Sequence, residues 1–171
     1  FCSLKNFLLA TTNEEIQIET VRVLSNLSRH RVLCEEHFTG EPEFLQMLVV
    51  VLDHTLRDLV FYSVGIIINM SLHEQVRPAL LRMKVVDKLI DVLRDANLED
   101  MDLAKVAAKA IHNLQGVADT NAFWSEEAIR KLDEFTLNCG EELDSIMVSA
   151  ASGVDPRVAR AGRGDRRRAR T

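Results

Sequence analysis

Leu24-Ser25-Asn26-Leu27, Ile67-Ile68-Asn69-Met70 and Ile111-His112-Asn113-Leu114 repeat one pattern, with asparagines 43 and 44 residues apart. Each closes an apolar run at helical spacing, and each run follows another amphipathic segment. A fixed period of this size marks a stacked helical solenoid, in which no unit buries its apolar face alone. Function is then carried by a surface rather than by a catalytic pocket.

Outward from these stretches, the chain divides into units. Residues 1–28 read as the end of one repeat, with Phe1, Leu4, Phe7 and Leu8 on one helical face and Thr12 and Asn13 starting the next helix. Residues 29–71 read as a full repeat. Its first helix, around Val32 to Phe38, ends at Gly40, and Pro42 opens the second. The third runs from about Leu56 to Leu72, with Thr55 and Asp58 as a capping pair. Residues 72–115 repeat the plan: Pro78 early in one helix, Val85 to Leu93 in the next, and Asn97 and Asp100 as caps before Met101 to Val117. Burial of Phe61, Ile67, Leu89 and Ile111 is expected to hold the stack. Beyond residue 116 the period is lost. Residues 116–155 read as a C-terminal helical cap with a polar outer side, and 156–171 as a disordered arginine-rich tail.

Composition supports long helices. The chain is 47% hydrophobic, with only seven glycines and three prolines in 171 residues. Residues 1–156 hold fourteen basic and twenty-five acidic side chains, a net charge of −11, so nucleic acid is not an expected partner of the body. Residues 157–171 hold seven arginines and one acid, a net charge of +6. Six of the fourteen body cations are lysine and none of the tail's are. That shift favours an inert tail, or one arising from a shifted reading frame or mis-called exon, over a basic arm. Three scattered cysteines form no disulfide framework, which suits a reducing cytoplasmic or nuclear setting. The chain starts on Phe and shows no secretory signal, so it is read as a piece or processed product of something longer. Apolar runs are too short to cross a bilayer.

A three-helix unit with an asparagine late in its third helix resembles the armadillo repeat. Val23-Leu24-Ser25-Asn26-Leu27-Ser28 and Ile66-Ile67-Ile68-Asn69-Met70-Ser71 carry the resemblance, and Val85 to Leu93 looks like the family's second helix. Lys84 departs from the pattern, standing where a glycine usually precedes that helix. HEAT repeats remain the nearest alternative. The fold expected is all-α: a right-handed α-solenoid of armadillo-type three-helix repeats with a C-terminal helical cap. The resemblance implies that third helices line a groove whose asparagines tie down the backbone of a partner peptide, a task suited to a carboxamide that donates and accepts at once.

Carried over by position, the partner-binding candidates are Arg22, Asn26, Asn69, Lys109 and Asn113. The basic pair, one turn before Asn26 and Asn113, points to an extended or helical partner with acidic character. Importin-like members place tryptophan at that position; this chain has Arg22, Gly65 and Lys109 there, which weighs against a nuclear-transport adaptor holding a basic signal. A purely structural segment of a longer solenoid is the third reading, with the asparagines only fastening loops between repeats. The segment from Phe123 to Met147 also resembles the C-terminal part of one armadillo-family member, implying a cytoplasmic role in assembling the axoneme of a cilium or flagellum.

Other motifs are set aside. His30, Cys34 and His37 lie at helical spacing but lack an obvious fourth ligand, so no metal is expected. Asn26-Leu27-Ser28 and Asn69-Met70-Ser71 match the glycosylation pattern but fall inside helices of a chain without an export signal. Glycine loops, nucleophile elbows and zinc-protease motifs are missing, and the paired carboxylates sit at helix starts or on polar faces. No enzyme activity, cofactor or small-molecule substrate is expected.

Overall fold

The computed structural model describes Leu8, residues 10–96 and 99–115, Glu126, Arg130 and Lys131. Among the described residues, the elements with defined bounds are α1 (Glu14–Leu27), a π-helical segment (Leu33–Phe38), α2 (Pro42–Val51), α3 (Arg57–Ser71), α4 (Arg77–Arg82), α5 (Val85–Ala96) and α6 (Met101–Gln115). No strand occurs among the described residues. Helices α1, α3 and α6, which carry the three asparagines of the repeated pattern, lie in a row, with α3 packed between α1 and α6. Helix α2 packs on α3 and α5 on α6, while α4 touches both α3 and α5. This is an all-helical repeat stack consistent with an armadillo-like solenoid.

The helix starts follow local chemistry. Asn13 accepts the Ile16 N–H at 3.1 Å, which caps α1. Asp100 does the same for Leu103 at 3.1 Å, ahead of α6. Pro42 and Pro78 sit in first turns, where a missing N–H costs nothing. The expected Thr55–Asp58 cap does not form. Leu56 occupies the N-cap position of α3 without a side-chain cap, and its N–H donates to His54 Nδ1 at 3.1 Å instead.

The first helix of the middle repeat is wound more widely than expected. Thr39 N–H reaches the Cys34 carbonyl, five residues back, at 3.2 Å. The Thr39 hydroxyl reinforces the turn, donating to Glu35 O at 2.6 Å and Cys34 O at 3.1 Å. At the exit, a Cβ on Gly40 would stand 2.8 Å from the Glu36 carbonyl oxygen. Glycine is therefore required there by close approach.

Among the described residues, one core cluster runs from Leu8 to Leu114. Val21, Leu24, Phe38, Phe44, Leu48, Ile67, Leu80, Leu89, Ile90 and Ile111 are essentially inaccessible to water, each such side chain stabilising by about 1.5–3 kcal/mol. Phe38 and Phe44 tilt against each other at 4.6 Å between ring centroids. Ala104, Ala107, Ala108 and Ala110 are fully or almost fully buried, and their small size lets α6 lie close to its neighbours. Phe61 departs from expectation: it is half-buried, with the Arg57 guanidinium 4.8 Å over its ring. Lys84 holds a left-handed backbone, φ 55°, so the junction keeps the conformation glycine would adopt freely. Of the C-terminal cap expected at 116–155, only Glu126, Arg130 and Lys131 are described, and the tail at 156–171 lies outside the described residues. Lys131 Nζ reaches Asp91 on α5 at 2.7 Å.

Candidate functional site

A depression of about 240 Å³ opens between α1 and α3 on the third-helix side. Gly65 makes it possible: a Cβ there would stand 3.0 Å from Ser25 Oγ, so the bare backbone lets the helices approach. Arg22, Asn26 and Arg29 line it from α1 and the turn beyond, with Phe61, Tyr62, Ile68 and Asn69 opposite and Val106 from α6. Three of the five expected residues, Arg22, Asn26 and Asn69, thus meet in one place. Lys109 and Asn113 do not line it; both are half-buried on α6, the next helix in the row.

The carboxamides already have work inside the stack. Asn69 Nδ2 donates to Ser28 Oγ at 2.8 Å and to Ser25 O at 3.2 Å, across one whole repeat. Asn113 Nδ2 donates to Ser71 Oγ at 3.0 Å, the same link one unit later. Each serine hydroxyl in turn donates to a carbonyl three residues back, Ser28 to Ser25 and Ser71 to Ile68, both at 2.7 Å. Ser28 and Ser71 are fully buried. The two matches to a glycosylation pattern are therefore halves of an inter-repeat stitch. Asn26 remains exposed, and Arg22 is ion-paired to Glu19 on its own helix. Arg29 and Tyr62 complete the lining without having been expected; Arg29 lies one turn beyond Asn26, which is the only signal the sequence offers.

A second, larger depression of about 360 Å³ lies where α2 and α5 end and α3 and α6 begin. Its floor is apolar, with Leu52, Val60, Val92 and Leu103; Asp53, Asp91, Asp95, Glu99 and Asp100 surround it. Arg57 spans it, meeting Asp100 through Nε at 2.6 Å and a second nitrogen at 2.9 Å. That fork holds the Asp100 carboxyl below the usual carboxylate range, outweighing an opposing desolvation, and raises the arginine further. Lys88 grips Asp53 from the next repeat at 2.6 Å.

The His30, Cys34 and His37 trio is not gathered into a site. Cys34 is fully buried and its thiol donates to Ser28 O at 2.9 Å, whereas both histidines are exposed. Burial, and then the Glu35 carboxylate, push the thiol up to about 11, so it stays protonated and unreactive at neutral pH. No group of three His, Cys, Asp or Glu able to share a metal occurs among the described residues. No helix among them is long and apolar enough to cross a membrane.

Among curated proteins, the chain is similar to armadillo repeat-containing protein 2 of Bos taurus, 27% identical over 126 residues, which cover 73% of this chain and 14% of that protein. It is 29% identical over 106 residues to the proteins of the same name from Mus musculus and Homo sapiens, covering 62% of this chain and 12% of each. The chain thus spans 12–14% of the length of the curated relatives it matches. No family model and no solved structure matches it. The similarity agrees with the armadillo-repeat relationship carried by the asparagine-bearing third helices.

Proposed function

We propose that the chain is a non-enzymatic protein-binding scaffold whose third-helix face holds an extended or helical segment of acidic character. The observation that carries this reading is the α1–α3 depression, which gathers Arg22, Arg29, Asn26 and Asn69 beside two aromatic rings. Asn69 spends its N–H donors on the stitch, and its Oδ1 has no partner among the described residues. That oxygen can accept a backbone N–H, while Asn26 can both donate and accept. Arg22 and Arg29 select acidic groups, and Lys109 and Asn113 extend the same face along α6. A right-handed winding with a C-terminal cap belongs to this reading. So does a cytoplasmic role in ciliary or flagellar axoneme assembly, which rests on the resemblance of residues 123–147 and is tested by locating a tagged copy in ciliated cells.

The binding claim is tested with fluorescein-labelled peptides, one alternating Glu and Ser and one alternating Lys and Ser. The acidic peptide should bind more tightly, and Arg22→Glu with Arg29→Glu should weaken it at least about tenfold, roughly 1.4 kcal/mol. Unchanged affinity would remove the groove from consideration. A second reading is favoured by the acid-rimmed depression: an adaptor taking a basic linear signal, as nuclear-transport proteins do. There the basic peptide binds, and Asp95→Lys with Glu99→Lys abolishes it. If neither peptide binds, the third reading, a purely structural segment, is preferred.

A further inference from the structure

One turn before each asparagine, α1 and α6 carry a cation and α3 does not: the residues are Arg22, Gly65 and Lys109. Gly65 therefore leaves a gap in the middle of a basic row. Apart from its own helix, a Cβ there would meet only Ser25 Oγ within 4 Å, so the remaining space is open. The opening of about 240 Å³ equals the share of roughly eight waters in the liquid, which is room for one large side chain. Its walls are apolar. Phe61, Tyr62 and Ile68 line it from α3 and Val106 from α6, and all four are half-buried rather than covered. The walls are also held in place. The Phe61 ring stands edge-on to Tyr62, 5.7 Å between centroids, and beneath the Arg57 guanidinium, which is itself forked onto Asp100. A ring fixed beforehand leaves little ordering to be done on binding. Neither Arg29 nor Lys109 has an ion pair among the described residues.

Building on the scaffold reading above, on which this rests, we propose that the acidic partner segment is anchored by one leucine-sized apolar side chain seated over Gly65, with carboxylates on both sides of it. The anchor displaces water from Phe61, Tyr62, Ile68 and Val106. The carboxylates before and after it meet Arg22 and Arg29 on the α1 side and Lys109 on the α6 side. Gly65 is then the residue that sets specificity, because any side chain at that position fills the seat. A segment that is acidic but lacks the anchor is held by exposed charges alone, which contribute little in water. The break in the basic row thus becomes a selection rule: acid, apolar, acid, in the order of Arg22, Gly65 and Lys109.

The test uses the alternating Glu–Ser and Lys–Ser peptides, fluorescein-labelled, each with and without leucine in place of its central serine. Leucine should tighten binding of the Glu–Ser peptide at least about tenfold, the effect of burying one such side chain. It should tighten the Lys–Ser peptide far less. Gly65→Val, combined with Ser25→Ala to make room for the new Cβ, should lower the leucine peptide to the affinity of the Glu–Ser peptide for the same variant. Far-ultraviolet circular dichroism checks that the variant is folded. If it is not, Val106→Phe closes the same seat from α6 and should have the same effect. Equal affinity of the two acidic peptides, an equal leucine gain in the Lys–Ser peptide, or a gain that survives the filled seat would each overturn the proposal and leave the acidic groove standing. Binding of neither acidic peptide overturns the scaffold reading itself.

Discussion

Helices α1 and α3 carry nearly the same residue pattern, yet among the described residues α3 is packed between two third helices and α1 against one. The difference separates what a repeat encodes from what its neighbours complete. Leu59 and Ile66 are buried in the stack and Asn69 is bonded to Ser28 at the end of α1; Ile16, Val23 and Asn26 bear the same kinds of side chain and face water. Residue type alone does not decide burial in a stack of this kind, because each interface takes half its surface from the next unit.

The sharpest way to break the parallel is to truncate paired positions. Ile66→Ala should cost about 2–5 kcal/mol in urea unfolding, since it empties a packed site. Val23→Ala, one period earlier, should cost less than about 0.5 kcal/mol. Similar losses at both would mean that α1 is covered. Next in size is the carboxamide. Asn69→Ala should lose about 1–2 kcal/mol, because Ser28 stays buried with one partner fewer, and Asn26→Ala should lose almost nothing.

The two joints also differ in charge. Arg57 forks onto Asp100 between α3 and α6, whereas the positions one period earlier, Glu14 and Leu56, offer no ion pair. A carboxyl whose pKa is lowered by folding adds stability that is complete above its unfolded value, near ~3.9, and is lost as pH falls through the folded value. Acid should therefore loosen the α3–α6 joint selectively. Asp100→Asn keeps a capping residue but removes the ion pair, and should cost about 1 kcal/mol or less at pH 7, given the exposure of Arg57. That cost should fade below about pH 4. A variant difference independent of pH would contradict the assignment. The smallest expected effect lies at the entry to α5. Lys84→Gly should stabilise by about 0.5 kcal/mol by relieving a left-handed lysine. Any loss would mean that the lysine side chain has a role there.

The third helices and the caps Asn13 and Asp100 were legible because apolar spacing and short polar side chains act locally. Three features were not. The π winding at Leu33–Phe38 is accompanied by local side-chain bonds, the Thr39 hydroxyl to Glu35 O and the Cys34 thiol to Ser28 O, which apolar spacing does not reveal. Phe61 has a core residue's composition but borders a groove that exists only once α1 lies beside α3. Asn69 and Asn113 stood out by their period, yet their partners Ser28 and Ser71 were visible only as a repeated Asn-x-Ser whose meaning comes from a neighbour 41 or 42 residues away. Of the candidate site, Arg22, Asn26 and Asn69 were foreseen together, and Arg29 and Tyr62 were supplied by the packing of two helices.

That these helices are sewn edge to edge by asparagine and serine is tested most directly by a thermodynamic cycle over Asn69→Ala, Ser28→Ala and the double variant in urea unfolding. The expected result is a coupling of about 1 kcal/mol. Additive losses, with no coupling beyond about 0.3 kcal/mol, would contradict it.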